Sequence, residues 1–162
     1  SGGRRIKRSI FIDAACVRLC TDEMLERFGR MELLKDYIGA KLSEIGAYNA
    51  EHDLAEPING RRLTNLGTFR AYITEYLKKN PNIREDMVLM VRQLPATPQG
   101  IPLEIYCFAN TTKWTQYENI QSDIFDHLYS AVSRFGLEVY QQPSGNDIRT
   151  ALGAERKNAD II

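Results

Sequence analysis

Between Asp86 and Gly145 the hydrophobic period changes from two to about 3.6 and back again, and few folds accommodate that succession. Met87 to Leu94 is a short apolar run. Ile101 to Ala109 alternates, with Ile101, Leu103, Ile105 and Cys107 in one row and Glu104 and Tyr106 in the other. Pro95, Pro98 and Gly100 join them through a link too short for a crossover, so the pair reads as an antiparallel hairpin. A helix follows. Thr115 and Glu118 have capping-box spacing, and Tyr117, Ile120, Ile124, Leu128, Ala131 and Phe135 form a stripe widened by Tyr129 and Val132. Gly136 supplies the stop. Leu137 to Tyr140 reads as a closing strand, ended by Pro143-Ser144-Gly145.

The first half supplies the complementary elements. From Arg4 to Asp13, Ile6, Ile10 and Ile12 fall on one face and Arg5, Lys7, Ser9 and Asp13 on the other, which predicts a strand solvated at its N-terminal end, where Arg8 interrupts the apolar row. Thr21 caps a short helix carrying Met24, Leu25 and Phe28. A second helical pattern, Met31 to Ala50, repeats Leu34, Tyr37, Ile38, Leu42, Ile45 and Tyr48 at three- and four-residue spacing. His52 to Thr64 reads as a loop, with Pro57 and an Asn59-Gly60 turn signal. Leu66 to Lys79 is a third helix, with Asn65 as its cap and Asn80-Pro81 as its end.

Without residues 21–63 the order is βαββαβ, so the predicted class is α+β: a ferredoxin-like sandwich with a helical insertion between strand 1 and helix 1. Residues 1–145 form the predicted domain, and residues 146–162 are polar and weakly patterned, the mark of a flexible C-terminal tail.

Charge and chemistry narrow the function by omission. Lys plus Arg equals Asp plus Glu at 21 each, so any anionic partner has to be met by a local patch rather than a global field. The basic run Arg4-Arg5-Lys7-Arg8, joined in space by Arg61-Arg62, is the one candidate patch. Phe11, Tyr106 and Phe108 stand where RNA-recognition sheets carry stacking aromatics, but without the glycine-rich basic wording of those modules, and no nucleic acid is expected. Cys16 and Cys20 have a four-residue spacing that suits zinc, yet no second ligand pair lies nearby; free thiols of a reducing compartment are the reading. His52 and His127 each neighbour an aspartate but show no positioned partner or pocket, and read as solvated residues. No phosphate loop, nucleophile elbow or zinc-protease motif occurs. The chain therefore reads as a non-enzyme, with no catalytic, cofactor-binding or metal residue assigned and no cofactor. No apolar run approaches the roughly 20 residues that span a bilayer.

The wording of the chain adds a family. GRRLTNLGTFRAYITEYLKKNPNI, and then MVLMVRQLPATPQGIPLEIYCFANTTKWTQYENIQSDIFDHLYSAVSRFGLEVYQQPSG, resembles the C-terminal cytoplasmic region of bacterial miniconductance mechanosensitive channels, in the small-conductance mechanosensitive channel superfamily. GGRRIKRSIFID is similar to the passage entering that region from the β-rich domain beside the membrane. The resemblance covers most of residues 2–145. It implies an inner-membrane parent, with transmembrane helices ahead of Ser1, that opens under tension and releases solutes on hypo-osmotic shock. This domain would then be a soluble wall of a cytoplasmic vestibule, in a ring that is heptameric in the superfamily, with portals for ions and small solutes. The helical insert exceeds the short link of simpler members and is expected to pack on the outer wall or on a neighbouring subunit. The alternative reading is a free-standing ferredoxin-like binding module for a small-molecule effector or RNA.

Overall fold

The alternating segment near the start of the chain forms strand β1 (Arg4–Ile12) in the computed structural model, which describes residues 2–160. Ile6, Ile10 and Ile12 are wholly buried, as a half-buried strand requires. Burial reaches further towards the N-terminus than Arg8 suggests. Arg8 is exposed, but its guanidinium lies 4.0 Å from the centre of the Phe125 ring, so the interruption in the apolar row is absorbed by a cation–π contact.

Two helices of the insert follow, α1 (Asp22–Gly29) and α2 (Lys35–Asn49). Thr21 caps α1 as expected, its hydroxyl accepting from the Met24 amide at 3.1 Å. Helix α3 (Asn65–Lys79) begins one residue earlier than its sequence suggests. Its cap is Thr64, whose hydroxyl accepts from Gly67 N at 3.0 Å, and Asn65 lies inside the helix. The hairpin consists of β2 (Met90–Gln93) and β3 (Ile101–Ala109). Strand β2 is half the expected length, and Val88, inside the predicted run, is exposed. Its tight turn needs Gly100: φ is +103°, and a Cβ there would come within 2.5 Å of the Ile12 carbonyl oxygen.

The sheet is three-stranded and antiparallel in the order β1-β3-β2. As the central strand, β3 is buried along almost its full length, including Glu104, which alternation had put on the outer row. The predicted fourth strand is reduced to one antiparallel bridge, Ile12 to Val139, with Tyr140 N donating to Phe11 O at 2.8 Å and Asp13 N donating to Glu138 O at 2.9 Å. Pro143 follows too soon for the ladder to continue. The observed class is α+β, with a three-stranded rather than a four-stranded sheet.

Helix α4 (Trp114–Ala131) continues as a 3-10 turn, Val132–Phe135, and ends at Gly136 in the left-handed region, φ +65°. The Thr115–Glu118 capping box does not form. The helix starts at Trp114, and Thr111 instead accepts from Lys113 N and donates to Gln116 Oε1. Tyr117, Ile124, Leu128 and Phe135 are buried as predicted; Phe125 joins them, whereas Tyr129 faces solvent.

Helices α3 and α4 cover one face of the sheet, and their side chains share a single core with Ile6, Ile10, Leu103 and Ile105. Phe135 is the hinge of that core. Its ring centre lies 5.0 Å from Phe69 on α3 and 5.1 Å from Phe28 on α1. Each such buried ring contributes about 1.5–3 kcal/mol. Through Met24, Phe28, Leu34 and Ile38 the first half of the insert belongs to this core, so it is not a separate appendage.

The last element, α5 (Gly145–Asp160), occupies the segment read as a tail. Ser144 and Asp147 make a capping box that the sequence reading passed over: Ser144 Oγ accepts from Asp147 N at 3.1 Å, and Asp147 Oδ2 accepts from Ser144 N at 3.0 Å. Its described side chains are almost all exposed, Ile148 and Leu152 among them.

Candidate functional site

Helix α2 shows where the domain has surface to spare. Of its predicted stripe, Leu34, Ile38 and Ile45 are buried, but Leu42 and Tyr48 are more than 40% exposed. Leu25, Leu42, Ile45 and Leu54 line an open concavity of about 250 Å³ between α1, α2 and the following loop. Arg61 and Arg62 stand at its rim. Arg62 pairs with Asp22 at 2.8 Å, and Arg61 with Glu44 at 3.4 Å. These two arginines were candidates to join the basic run of β1, but their ion pairs tie them to the insert. A groove with an apolar lining and paired charges beside it suits contact with an amphipathic partner.

The second surface is the side of the sheet away from α3 and α4. Arg5 and Lys7 on β1 lie opposite Phe108 and Tyr106 on β3, and the Arg5 guanidinium is 5.9 Å from the Tyr106 ring centre. Tyr106 and Phe108 meet edge to face at 5.7 Å. Phe11, the third aromatic of the RNA-like reading, is paired with Pro102, four positions along the strand from Lys7 and thus about 13 Å from that cluster. The three aromatics share a face but do not form one platform. Glu104 is buried here at 5% exposure and is held by Arg92, whose Nε donates to Oε1 at 2.9 Å.

His52 is exposed in its loop as expected, whereas His127 is half-buried between helices. His127 Nε2 lies 2.7 Å from the Tyr72 hydroxyl, and its ring stacks on Tyr76 at 4.2 Å, so it ties α4 to α3. Burial pushes the Tyr72 and Tyr76 hydroxyls above the ordinary phenol range, Tyr76 also by the charges of Tyr72 and Asp123. His52 stacks on Tyr48 at 4.2 Å, and its Nδ1 lies 2.8 Å from the Tyr48 carbonyl oxygen, closing the end of α2.

The cysteines take structural places. Cys16 ends a 3-10 turn and accepts from Glu138 N at 3.2 Å, whereas Cys20 is buried beside Thr68. Cys107 lies in the core, and desolvation pushes its thiol up to about 12. Among the described residues no group of three or more His, Cys, Asp or Glu side chains is placed to hold a metal ion, and no helix is long and apolar enough to cross a membrane.

Sequence reasoning took Asn65 for a helix cap, but it is fully buried inside α3. Its Oδ1 accepts from Arg18 N at 3.0 Å and its Nδ2 donates to Cys16 O at 2.9 Å, joining the β1–α1 link to α3. Trp114, expected just before the helix, is its first residue and is 68% exposed. The only sequence signal for either was its neighbourhood: a polar residue after a good cap, and an aromatic in a polar stretch.

The family model described as the C-terminal part of the mechanosensitive ion channel MscS matches residues 64–139. The match opens on Thr64, the cap of α3, and closes on Val139, the partner of Ile12, so it takes in α3, the hairpin and α4 and leaves out β1 and the insert. Over that stretch the chain is similar to the C-terminal domain of the small-conductance mechanosensitive channel family.

Proposed function

We propose that this chain is the vestibule-wall domain of a tension-gated channel of the miniconductance type, on the cytoplasmic face of the bacterial inner membrane. The observation that carries the reading is the coincidence of the family match with whole structural elements, from the cap of α3 to the bridge at Val139. In this reading β1 and the matched region make a ferredoxin-like unit, with order β1-β3-β2 as its persistent part and Leu137–Tyr140 as a vestigial fourth strand. Residues 1–145 then form the domain and residues 146–162 its C-terminal extension. The domain works by assembly, as part of a heptameric ring whose portals pass ions and small solutes, and it carries no catalysis or cofactor.

The exposed half of α2 gives the insert a place in that assembly. Leu42, Tyr48, Leu54 and Ile58 are exposed apolar side chains of α2 and the loop after it, which a neighbouring subunit or the outer wall would cover. Two recordings test these statements separately. Membrane patches containing the full-length channel should open under tension, and cells relying on it should survive hypo-osmotic shock; silent patches and lysed cells would refute the channel reading. Deleting residues 21–63 should then change tension threshold, conductance or adaptation. If all three stay the same, the role of the insert is wrong.

A further inference from the structure

The sheet order leaves β1 at an edge, and its backbone shows how little of that edge is used. Phe11 O accepts from Tyr140 N, and Asp13 N donates to Glu138 O, so the odd-numbered residues of β1 turn their backbone groups away from β3. Following the same row back gives Ser9, Lys7 and Arg5. The Tyr117 hydroxyl donates to Arg5 O at 2.6 Å. Between these two closures, alongside Lys7 and Ser9, lies the lane that a fourth strand would occupy. Leu137–Tyr140 enters it only at Ile12.

The side chains bordering that lane are cationic on both faces of the sheet. On the helix side, Arg4 and Arg8 lie over the rings of Tyr117 and Phe125, at 4.3 Å and 4.0 Å. On the open side, Arg5 and Lys7 are exposed. A second copy of β1 in the same lane would set these four cations against themselves, and like charges across a strand pair are destabilising. The same charges therefore guard against self-pairing and select for the opposite sign.

We propose that the Lys7–Ser9 edge of β1 binds an extended acidic segment of a partner protein as an added strand. Main-chain hydrogen bonds from Lys7 and Ser9 give the affinity, as in other strand additions. Carboxylates on both rows of the incoming strand meet Arg4 and Arg8 on one side and Arg5 and Lys7 on the other. The inference does not depend on the channel reading, because it rests on the edge alone.

Amide hydrogen exchange measured by NMR tests it, with a blocked Glu-Glu-Val-Val-Glu-Glu peptide, which carries carboxylates on both rows, as the probe and the lysine-for-glutamate peptide as control. The acidic peptide should slow exchange at Lys7 and Ser9 by about tenfold or more, and the effect should shrink as salt is raised. Ser9→Pro removes an outward N–H, a change that edge strands tolerate, and should abolish the protection. Lys7→Glu, on an exposed side chain, should weaken it in a chain whose spectrum is otherwise unchanged. Equal protection by both peptides, or none at millimolar acidic peptide, overturns the proposal. Slowing that follows the chain's own concentration without peptide also overturns it and assigns the lane to a second copy.

Discussion

Asn65 has no water to fall back on, since it is fully buried and its amide must satisfy Arg18 N and Cys16 O at once. Replacing it with alanine leaves those two backbone groups without a partner. Asn65→Ala should therefore cost about 2–4 kcal/mol in urea unfolding, and a loss below about 1 kcal/mol would mean that water takes over its role. The residue was legible as a cap, but a cap's position depends on a single residue of helix phase, and Thr64 took it. Cys107 makes the second residue-scale case. An unfolded thiol titrates near 9.0, and in the fold desolvation moves Cys107 to about 12. Below about pH 9 both states keep the proton and the contribution is fully present. Above it the unfolded chain ionises while the folded chain does not, so stability falls as pH rises towards 12. Tyr72 and Tyr76, raised by burial, act in the same direction above pH 10.0. The urea midpoint should drop between pH 9 and pH 11, and Cys107→Val should flatten the slope; a parallel slope in the variant would assign the loss to other groups.

At the scale of elements, periodicity located every long helix of the matched region but did not say how much of each face would be covered. Helix α2 has the hydrophobic spacing of a core helix, yet Leu42 and Tyr48 are exposed because the core ends with Ile38 and Ile45. Strand β2 is shorter than its apolar run because only Met90–Gln93 lies beside β3. Helix α5 shows the reverse case. Its weak apolar pattern argued for a tail, but the Ser144–Asp147 capping box closes both free ends of the first turn and propensity does the rest. Ser144→Ala should lower the stability of α5 by about 1 kcal/mol, seen as lost helical carbon shifts over residues 146–155. The cooperative unfolding of the remaining domain should stay where it was. A shared fall in both would mean that α5 is packed against the core.

For the whole molecule, a formal charge of zero conceals a separation of sign, with four cations along β1 and acidic groups spread over the helices. That separation favours recognition at particular surfaces over general attraction to an anionic polymer. The α+β class and the succession of elements from β1 to α4 followed from local rules of period, capping and turn chemistry, which act over a few residues and can be read along a line. The wording across most of residues 2–145 likewise pointed to a family without reference to any contact, and the family model matches residues 64–139 of it. Tertiary structure alone decided which apolar side chains found cover, that Glu104 would be buried with Arg92, and that His127 would stack on Tyr76 of another helix. It also left the fourth lane of the sheet open beside Lys7 and Ser9. Each of those outcomes depends on the distance between segments far apart in the chain, and period and spacing carry no record of that distance.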